Sequence, residues 1–256
     1  MASNIIYTNM DKAVEDANIV SQYLEDEYLG VYALFLTNRD NLVSHFYRAE
    51  RETLLHIYIR ELLSNGNLYD DIIENNPVWY WENCHNEALF NLFNYSLSNV
   101  GSIPDDDYSA NIAFAQDVNT FYCDYINDKW SDHVFYVLYS NKDFLFRFCS
   151  EVSRIVHELK ATDYPSYLKS DGIIKRTKFP KWVKSGVRDR DRNHCQICGK
   201  DIFNELHHLK ENYDHIIPLK LGGTNDATNI QLTCERCNKQ KGARNADYNN
   251  IIIPFW

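Results

Sequence analysis

The chain contains two cysteine pairs of equal spacing, Cys195-Gln196-Ile197-Cys198 and Cys234-Glu235-Arg236-Cys237, and the 35 residues Gly199 to Thr233 separate them. A two-residue spacer lets one tight turn present both sulfurs, and zinc binds four thiolates as a tetrahedron. The cysteines therefore predict a structural zinc site, in which protein ligands leave no position for a reacting water. The insert is longer than in a simple four-cysteine finger, so any chemistry must come from a second site within it.

The insert carries polar residues of a second kind. It contains Asp214-His215-Ile216-Ile217-Pro218, then Gly222-Gly223, then Asn229-Ile230-Gln231-Leu232, and Asn238 directly follows the second cysteine pair. A neutral imidazole can act as a base near neutral pH, and a hard cation such as Mg²⁺ prefers carboxylate and amide oxygens. These residue types suit hydrolysis of a phosphodiester, which requires a base and a charge-neutralising cation.

The order of these pieces resembles the HNH nuclease family. Its motif runs from a cysteine pair through Asp-His-Ile-x-Pro, a glycine turn and Asn-x-x-Leu to Cys-x-x-Cys-Asn-x-x-Lys, and the resemblance covers residues 187–242. It implies that Asp214 and Asn238 hold a catalytic Mg²⁺ or Mn²⁺, that His215 activates water, and that Asn229 holds the loop carrying His215. The family often has histidine where Asn238 stands, which implies weaker cation binding or a different metal preference here.

The two parts of the chain carry opposite charge. Residues 1–170 hold 26 acidic and 11 basic side chains, whereas residues 171–256 hold 10 and 15. Only the second part is suited to meet phosphates, although exposed basic residues are often just a solvated face. The acidic part is predicted either to dock a partner protein or to regulate the basic part by covering its nuclease face. The predicted phosphate contacts are Arg188, Arg190, Lys239, Lys241 and Arg244.

Hydropathy patterning predicts a helical acidic part. Apolar residues recur with helical spacing from Val31 to Leu63, and 11–28, 83–99, 108–128 and 131–161 are further helical candidates. Period-2 alternation is scarce in this part of the chain. Residues 1–170 therefore predict a mainly helical, bundle-like domain.

The basic part predicts strand, loop, strand and helix. Ile216-Ile217 and Ile230-Gln231-Leu232 are short strand candidates, and residues 235–244 are compatible with a helix. Asp171-Gly172 is a turn signal that places the domain boundary near residue 170. The fold class expected for the whole chain is α+β, with the helical domain at 1–170 followed by a zinc-stapled ββα-metal domain at 171–256.

Two functions remain open on the sequence alone. The first is a metal-dependent DNA endonuclease with His215 as general base, which would suit bacterial defence or restriction. The second is a zinc-stabilised nucleic-acid-binding module whose nuclease centre is idle. Double-strand cutting by one centre per chain would require a homodimer or sequential nicks. No apolar run reaches membrane-spanning length and no secretory signal is visible, so a cytoplasmic protein that acts without a membrane is expected.

Overall fold

The computed structural model describes three stretches of the chain, residues 13–64, 127–204 and 209–242. The helix predicted at 83–99, most of the one at 108–128, and the predicted phosphate contact Arg244 lie outside the described residues. Helices in the described stretches accompany two small antiparallel sheets, so the predicted α+β class is confirmed. None of these helices combines the length and hydropathy that crossing a bilayer requires.

Residue contacts divide the chain into two compact units. The first comprises Met1–Asp16 and Ile59–Val134, and the second comprises Ala17–Tyr58 and Phe135–Trp256. The second unit thus contains helical residues of the acidic part together with the described residues that follow position 170. The predicted division of function at residue 170 stays a prediction.

Helices dominate the described residues before position 160. Val31 to Leu63 forms three helices rather than one continuous run. Asn38 ends the first of them and precedes the next, and Arg48 is extended (φ −139°, ψ 149°) and ends the second. The helical spacing persists across these breaks because the short helices still bury their apolar side chains. Helical residues occur at 13–22 (α1), Val31–Thr37 (α2), Arg39–Tyr47 (α3), Leu54–Ser64 (α4), Asn127–Tyr139 (α5) and Lys142–Glu158 (α6).

Helix α6 is a central element of the second unit. Asn141 separates it from α5 and caps it, accepting a hydrogen bond from the backbone N–H of Phe144 at 3.1 Å. The helix predicted at 131–161 is therefore two helices. Phe148 of α6 packs its ring against Phe35 and Tyr58. The buried face of α6 comprises Phe144, Leu145, Phe148, Cys149, Val152, Ile155 and Val156.

The first unit has its own buried polar contact. Trp130 is 0% exposed, and its Nε1 donates to Oδ2 of Asp16 at 2.7 Å. A buried indole N–H needs an acceptor. This hydrogen bond therefore joins α1 and α5 within the first unit.

The second unit contains both small sheets. Leu168–Ser170 (β1) and Ile173–Ile174 (β2) form a hairpin around Gly172, which adopts φ +65°. Glu211–His215 (β3) and Ile230–Cys234 (β4) form the other antiparallel pair, and Glu235–Lys241 (α8) follows β4 directly.

The strand predicted at Ile216-Ile217 is wrong by a few residues, whereas the strand at 230–232 and the following helix are confirmed. β3 ends at His215, and the backbone groups of the two isoleucines bond to Asn229 instead of a strand. The apolar pair is buried, as the pattern required, but it lies in the loop that leaves the sheet.

A helix also precedes the first cysteine pair. Lys181–Arg190 (α7) begins after Pro180 and buries Val183 and Val187 against β4. The small core of this region contains Cys195, Ile202, Ala227, Ile230, Leu232, Cys234 and Cys237 in addition. So few apolar residues give limited stability, which is why a structural metal suits this region.

Candidate active site and metal centre

The four paired cysteines come together. Their sulfurs all lie within 4.8 Å of one another, and four thiolates bound to one zinc lie roughly 3.8 Å apart given Zn–S bonds of about 2.3 Å. Gly199 makes the first turn possible, since it adopts φ +71° and donates to the carbonyl of Cys195 at 2.8 Å. The backbone N–H of Gln196 bonds to Leu232 O at 2.9 Å and ties this turn to β4. The cluster can therefore hold a metal ion such as zinc.

His215 stands at the end of β3 and is 1% exposed. It nevertheless contributes to the lining of a cleft of about 360 Å³. Burial lowers the pKa of His215 to about 4; a hydrogen bond with Asn225 opposes that shift, and the positive charge of Arg176 adds to it. His215 is therefore a neutral imidazole at physiological pH, the form that can accept a proton.

Asn225 decides which imidazole nitrogen carries the hydrogen. Its Nδ2 donates to Tyr47 O at 2.7 Å and to Lys175 O at 2.8 Å, which leaves its Oδ1 facing Nε2 of His215 at 3.1 Å. An amide oxygen only accepts, so Nε2 must be the protonated nitrogen. Nδ1 of His215 is then the unprotonated, basic atom.

Sequence reasoning missed Asn225. The residue follows Gly222-Gly223-Thr224 and stood among turn residues without a partner that the sequence could name. Its most distant bond, to the carbonyl of Tyr47, spans 178 positions. The one signal in the sequence was a polar amide two residues after the glycine pair.

Asp214 precedes His215 on β3 and pairs across the sheet with Gln231. Its Oδ2 accepts from Lys241 Nζ at 2.6 Å and from Gln231 Nε2 at 3.3 Å. The same ammonium donates to the carbonyls of His215 and Ile216. Lys241, predicted to contact phosphate, has a side chain only 2% exposed and instead serves as an internal cation beside Asp214.

Asn238 lies in the middle of α8 and lines the same cleft as Asp214 and His215. Its Nδ2 donates to Oδ1 of Asn212 at 3.5 Å, so its own Oδ1 is the atom that can serve as a metal ligand. The structure thus brings the predicted carboxylate, imidazole and amide to one cavity. Carboxylate and amide oxygens are ligands that fit a hard divalent cation.

Asn229 holds the loop between His215 and the glycine turn. Its Oδ1 accepts from Ile217 N at 2.8 Å, and its Nδ2 donates to Ile217 O at 3.0 Å and to Thr224 O at 2.8 Å. A Cβ on Gly223 would lie 1.8 Å from Ile217 O, so the close approach requires glycine. These hydrogen bonds join Asn229 to Ile217 and Thr224, on the two sides of the glycine pair.

The predicted phosphate contacts that the structure describes differ in their exposure to solvent and in their ion pairs. Arg190 has a side chain only 6% exposed; it pairs with Asp191 at 2.8 Å and donates to Ile230 O at 2.6 Å. Its guanidinium is therefore not available to phosphate in this structure. Arg188 is half-buried over Phe203, and Lys239 is exposed but pairs with Glu235 at 2.8 Å.

The turn that contains Asn225 also depends on residues 46–54. The backbone N–H of Asn225 donates to Phe46 O at 2.9 Å, and Oδ2 of Asp226 accepts from Leu54 N at 3.2 Å. Asp226 is fully buried, and this burial raises the pKa of its carboxyl group although Thr228 donates to it. Helical residues far away in sequence therefore complete the loop that supports His215.

Comparison with known proteins agrees with this geometry. Residues 195–248 match the family model described as HNH endonuclease. The resemblance found in the sequence is thus confirmed for the C-terminal part. No curated protein and no solved structure gives a significant match to the chain.

Proposed function

We propose that this protein is a metal-dependent endonuclease that hydrolyses phosphodiester bonds of DNA, with His215 as the general base. The observation that carries this proposal is the shared cleft of Asp214, His215 and Asn238, in a segment that matches the HNH endonuclease family. A buried neutral base beside oxygen donors is the combination that activation of water near a phosphate needs.

We assign to each residue of the centre a role that its hydrogen bonds support. Nδ1 of His215 takes the proton of the attacking water, while Asn225 keeps the hydrogen on Nε2. Asp214 and Asn238 would hold a divalent cation such as Mg²⁺ or Mn²⁺, which when bound neutralises charge on the phosphate and on the leaving oxygen. Asn229 keeps the loop after His215 in place. The four cysteines would hold a separate structural zinc, which takes no part in the chemistry.

A second candidate function is a zinc-stabilised nucleic-acid-binding module with an idle centre. The observation that favours it is the Lys241 ammonium, which lies 2.6 Å from Oδ2 of Asp214 and already neutralises that carboxylate. A bound divalent cation would have to share Asp214 with this charge. Nucleic-acid binding without cleavage in any metal would support this reading.

The decisive experiment is plasmid cleavage by the purified full chain with Mg²⁺, with Mn²⁺ and without added metal. The variant is His215→Ala, and the matched control is His133→Ala, which removes a histidine that stacks on Trp130 and does not line the cleft. We expect metal-dependent nicking or linearisation by the parent and the control, and none by His215→Ala. Cleavage by His215→Ala at the rate of the parent would show that His215 is not the base.

Wider aspects of function are proposals by analogy. A nuclease joined to an acidic helical part would suit bacterial defence or restriction. We place it in the cytoplasm, where reduced thiols favour metal binding over disulfides. We further propose that the acidic part docks a partner protein and that a homodimer cuts both strands. RNA remains the alternative substrate, which the same cleavage assay distinguishes when single-stranded and duplex RNA replace the plasmid.

A further inference from the structure

Three basic residues line the cleft that contains Asp214 and His215. They are Lys169, Arg176 and Lys220, and each of these residues is exposed to solvent. None of them is among the predicted phosphate contacts. Lys169 and Arg176 also lie before the segment that matches the HNH family, so the family match does not account for them.

The β1–β2 hairpin holds two of these residues in place. Leu168 and Ile174 face each other across the hairpin and are 2% and 1% exposed. Lys169 lies between Leu168 and Ser170, where the register of the hairpin shifts, and it is exposed to solvent. Arg176 follows β2 by two residues.

Lys220 lines the same cleft from a different segment of the chain. It belongs to the short turn Leu219–Leu221, which follows Pro218 and ends at Gly222. Gly222 adopts φ +78°, and a Cβ there would lie 2.7 Å from the carbonyl of Ser153 in α6. Close packing on α6 therefore fixes the turn that carries Lys220.

The three residues are positively charged and each is exposed to solvent. Among the described residues, no ion pair involves Lys169, Arg176 or Lys220. Arg190 and Lys241, by contrast, have buried side chains that are already paired with carboxylates. The accessible positive charge at the cleft thus lies on this group, which we call the basic rim.

We propose that the basic rim of Lys169, Arg176 and Lys220 binds backbone phosphates of the nucleic acid and holds the strand beside the centre. This inference rests on the proposed nucleic-acid substrate, but binding can be measured without cleavage. Exposed cations around a cleft attract a polyanion, and each phosphate contact releases counterions. Binding should therefore weaken with salt, with a slope of log K against log salt of about −0.9 per contact on duplex DNA.

The test measures binding of a labelled 20-base-pair duplex by fluorescence anisotropy over a range of KCl concentrations, without added divalent cation. The protein is the full chain carrying His215→Ala, so no cleavage interferes. Lys169→Gln, Arg176→Gln and Lys220→Gln are added singly and together. The matched control is Arg147→Gln, which removes a half-buried positive charge on α6 that pairs with Glu25 and does not line the cleft.

We expect each single variant to reduce the slope by about 0.9 and the triple variant by about 2.7, with the control unchanged. Zinc content and melting temperature equal to those of the parent show that the variants fold. A triple-variant slope equal to that of Arg147→Gln, or no binding by the parent at the lowest salt, would overturn the proposal. Cleavage by the wild-type chain is measured separately, so an inactive protein that binds through the rim contradicts only the nuclease function.

Discussion

Oδ1 of Asn225 accepts a hydrogen bond from Nε2 of His215 at 3.1 Å, inside a site where both residues are almost wholly buried. The amide of Asn225 is itself held by the carbonyls of Tyr47 and Lys175. The proposed base is therefore oriented through an asparagine whose supports come from outside the family motif. This chain of contacts leads to the first prediction.

Asn225→Ala should lower kcat by roughly 10- to 100-fold, as loss of a residue that orients a site residue commonly does. The reason is that His215 loses its tautomer and its ring orientation, while the substrate contacts remain. KM for DNA should change little. Steady-state cleavage kinetics separate the two constants, and a rise in KM at constant kcat would show that Asn225 does not position the base.

Acid should weaken the folded state through His215. Its folded pKa of about 4 is below the ordinary value near 6.5, so its stabilisation is complete above the unfolded pKa and is lost as pH falls towards the folded pKa. Between pH 7.5 and 5.5 the loss should be about 1.4 kcal/mol.

The comparison that isolates this effect is His215→Gln, which cannot titrate. Urea unfolding of both proteins at pH 7.5 and 5.5 gives the difference in their free energies of unfolding. That difference should shrink at the lower pH, because only the wild type loses stability through this residue. A difference independent of pH would mean that His215 is not a depressed, buried imidazole.

Lys241→Met should lower the free energy of unfolding by about 3 kcal/mol, because removing one partner of a buried ion pair leaves the other uncompensated. The unpaired group would be Asp214. Lys239→Met is the matched control from the same helix: its exposed pair with Glu235 is screened by water, so its loss should leave the free energy of unfolding nearly unchanged. Similar losses in both variants, measured by urea unfolding, would contradict a buried role for Lys241.

The purified protein should contain one zinc ion per chain. Cys237→Ser should lose it and lose the fold of the C-terminal part, because structural zinc supplies folding free energy to small domains. Cys149→Ala is the control, since this buried cysteine of α6 is not in the cluster. Atomic absorption measures the metal. Full zinc in Cys237→Ser would show that the cluster is not the zinc site.

Residues 171–256 alone should cleave DNA more slowly than the full chain. Their Asn225 and Asp226 would lose the bonds to Phe46, Tyr47 and Leu54, so fewer contacts would hold the loop that orients His215. Cleavage rates and melting temperatures of the two proteins test this. A faster isolated segment would instead support an acidic part that covers the nuclease face.

The sequence by itself determined the parts whose chemistry is local. Two equal cysteine spacings predicted the sulfur cluster, and Ile230-Gln231-Leu232 followed by polar, helix-compatible residues predicted β4 and α8. Asp214, His215 and Asn238 were predicted from the resemblance to the HNH family, whose motif has these residue types in this order around the cysteine pairs. Short-range order along the chain is sufficient for these three residues, since β3 carries two of them and α8 carries the third.

Only the tertiary structure decided which charges are available and what orients the base. Arg190 and Lys241 are as basic in sequence as Lys169 and Arg176, but packing buries the first two against carboxylates and leaves the others at the cleft. Asn225 donates a hydrogen bond to the carbonyl of Tyr47, which is 178 positions away in the sequence. Burial and long-range hydrogen bonds depend on which segments meet in space, and hydropathy along the chain records only whether a residue prefers the interior.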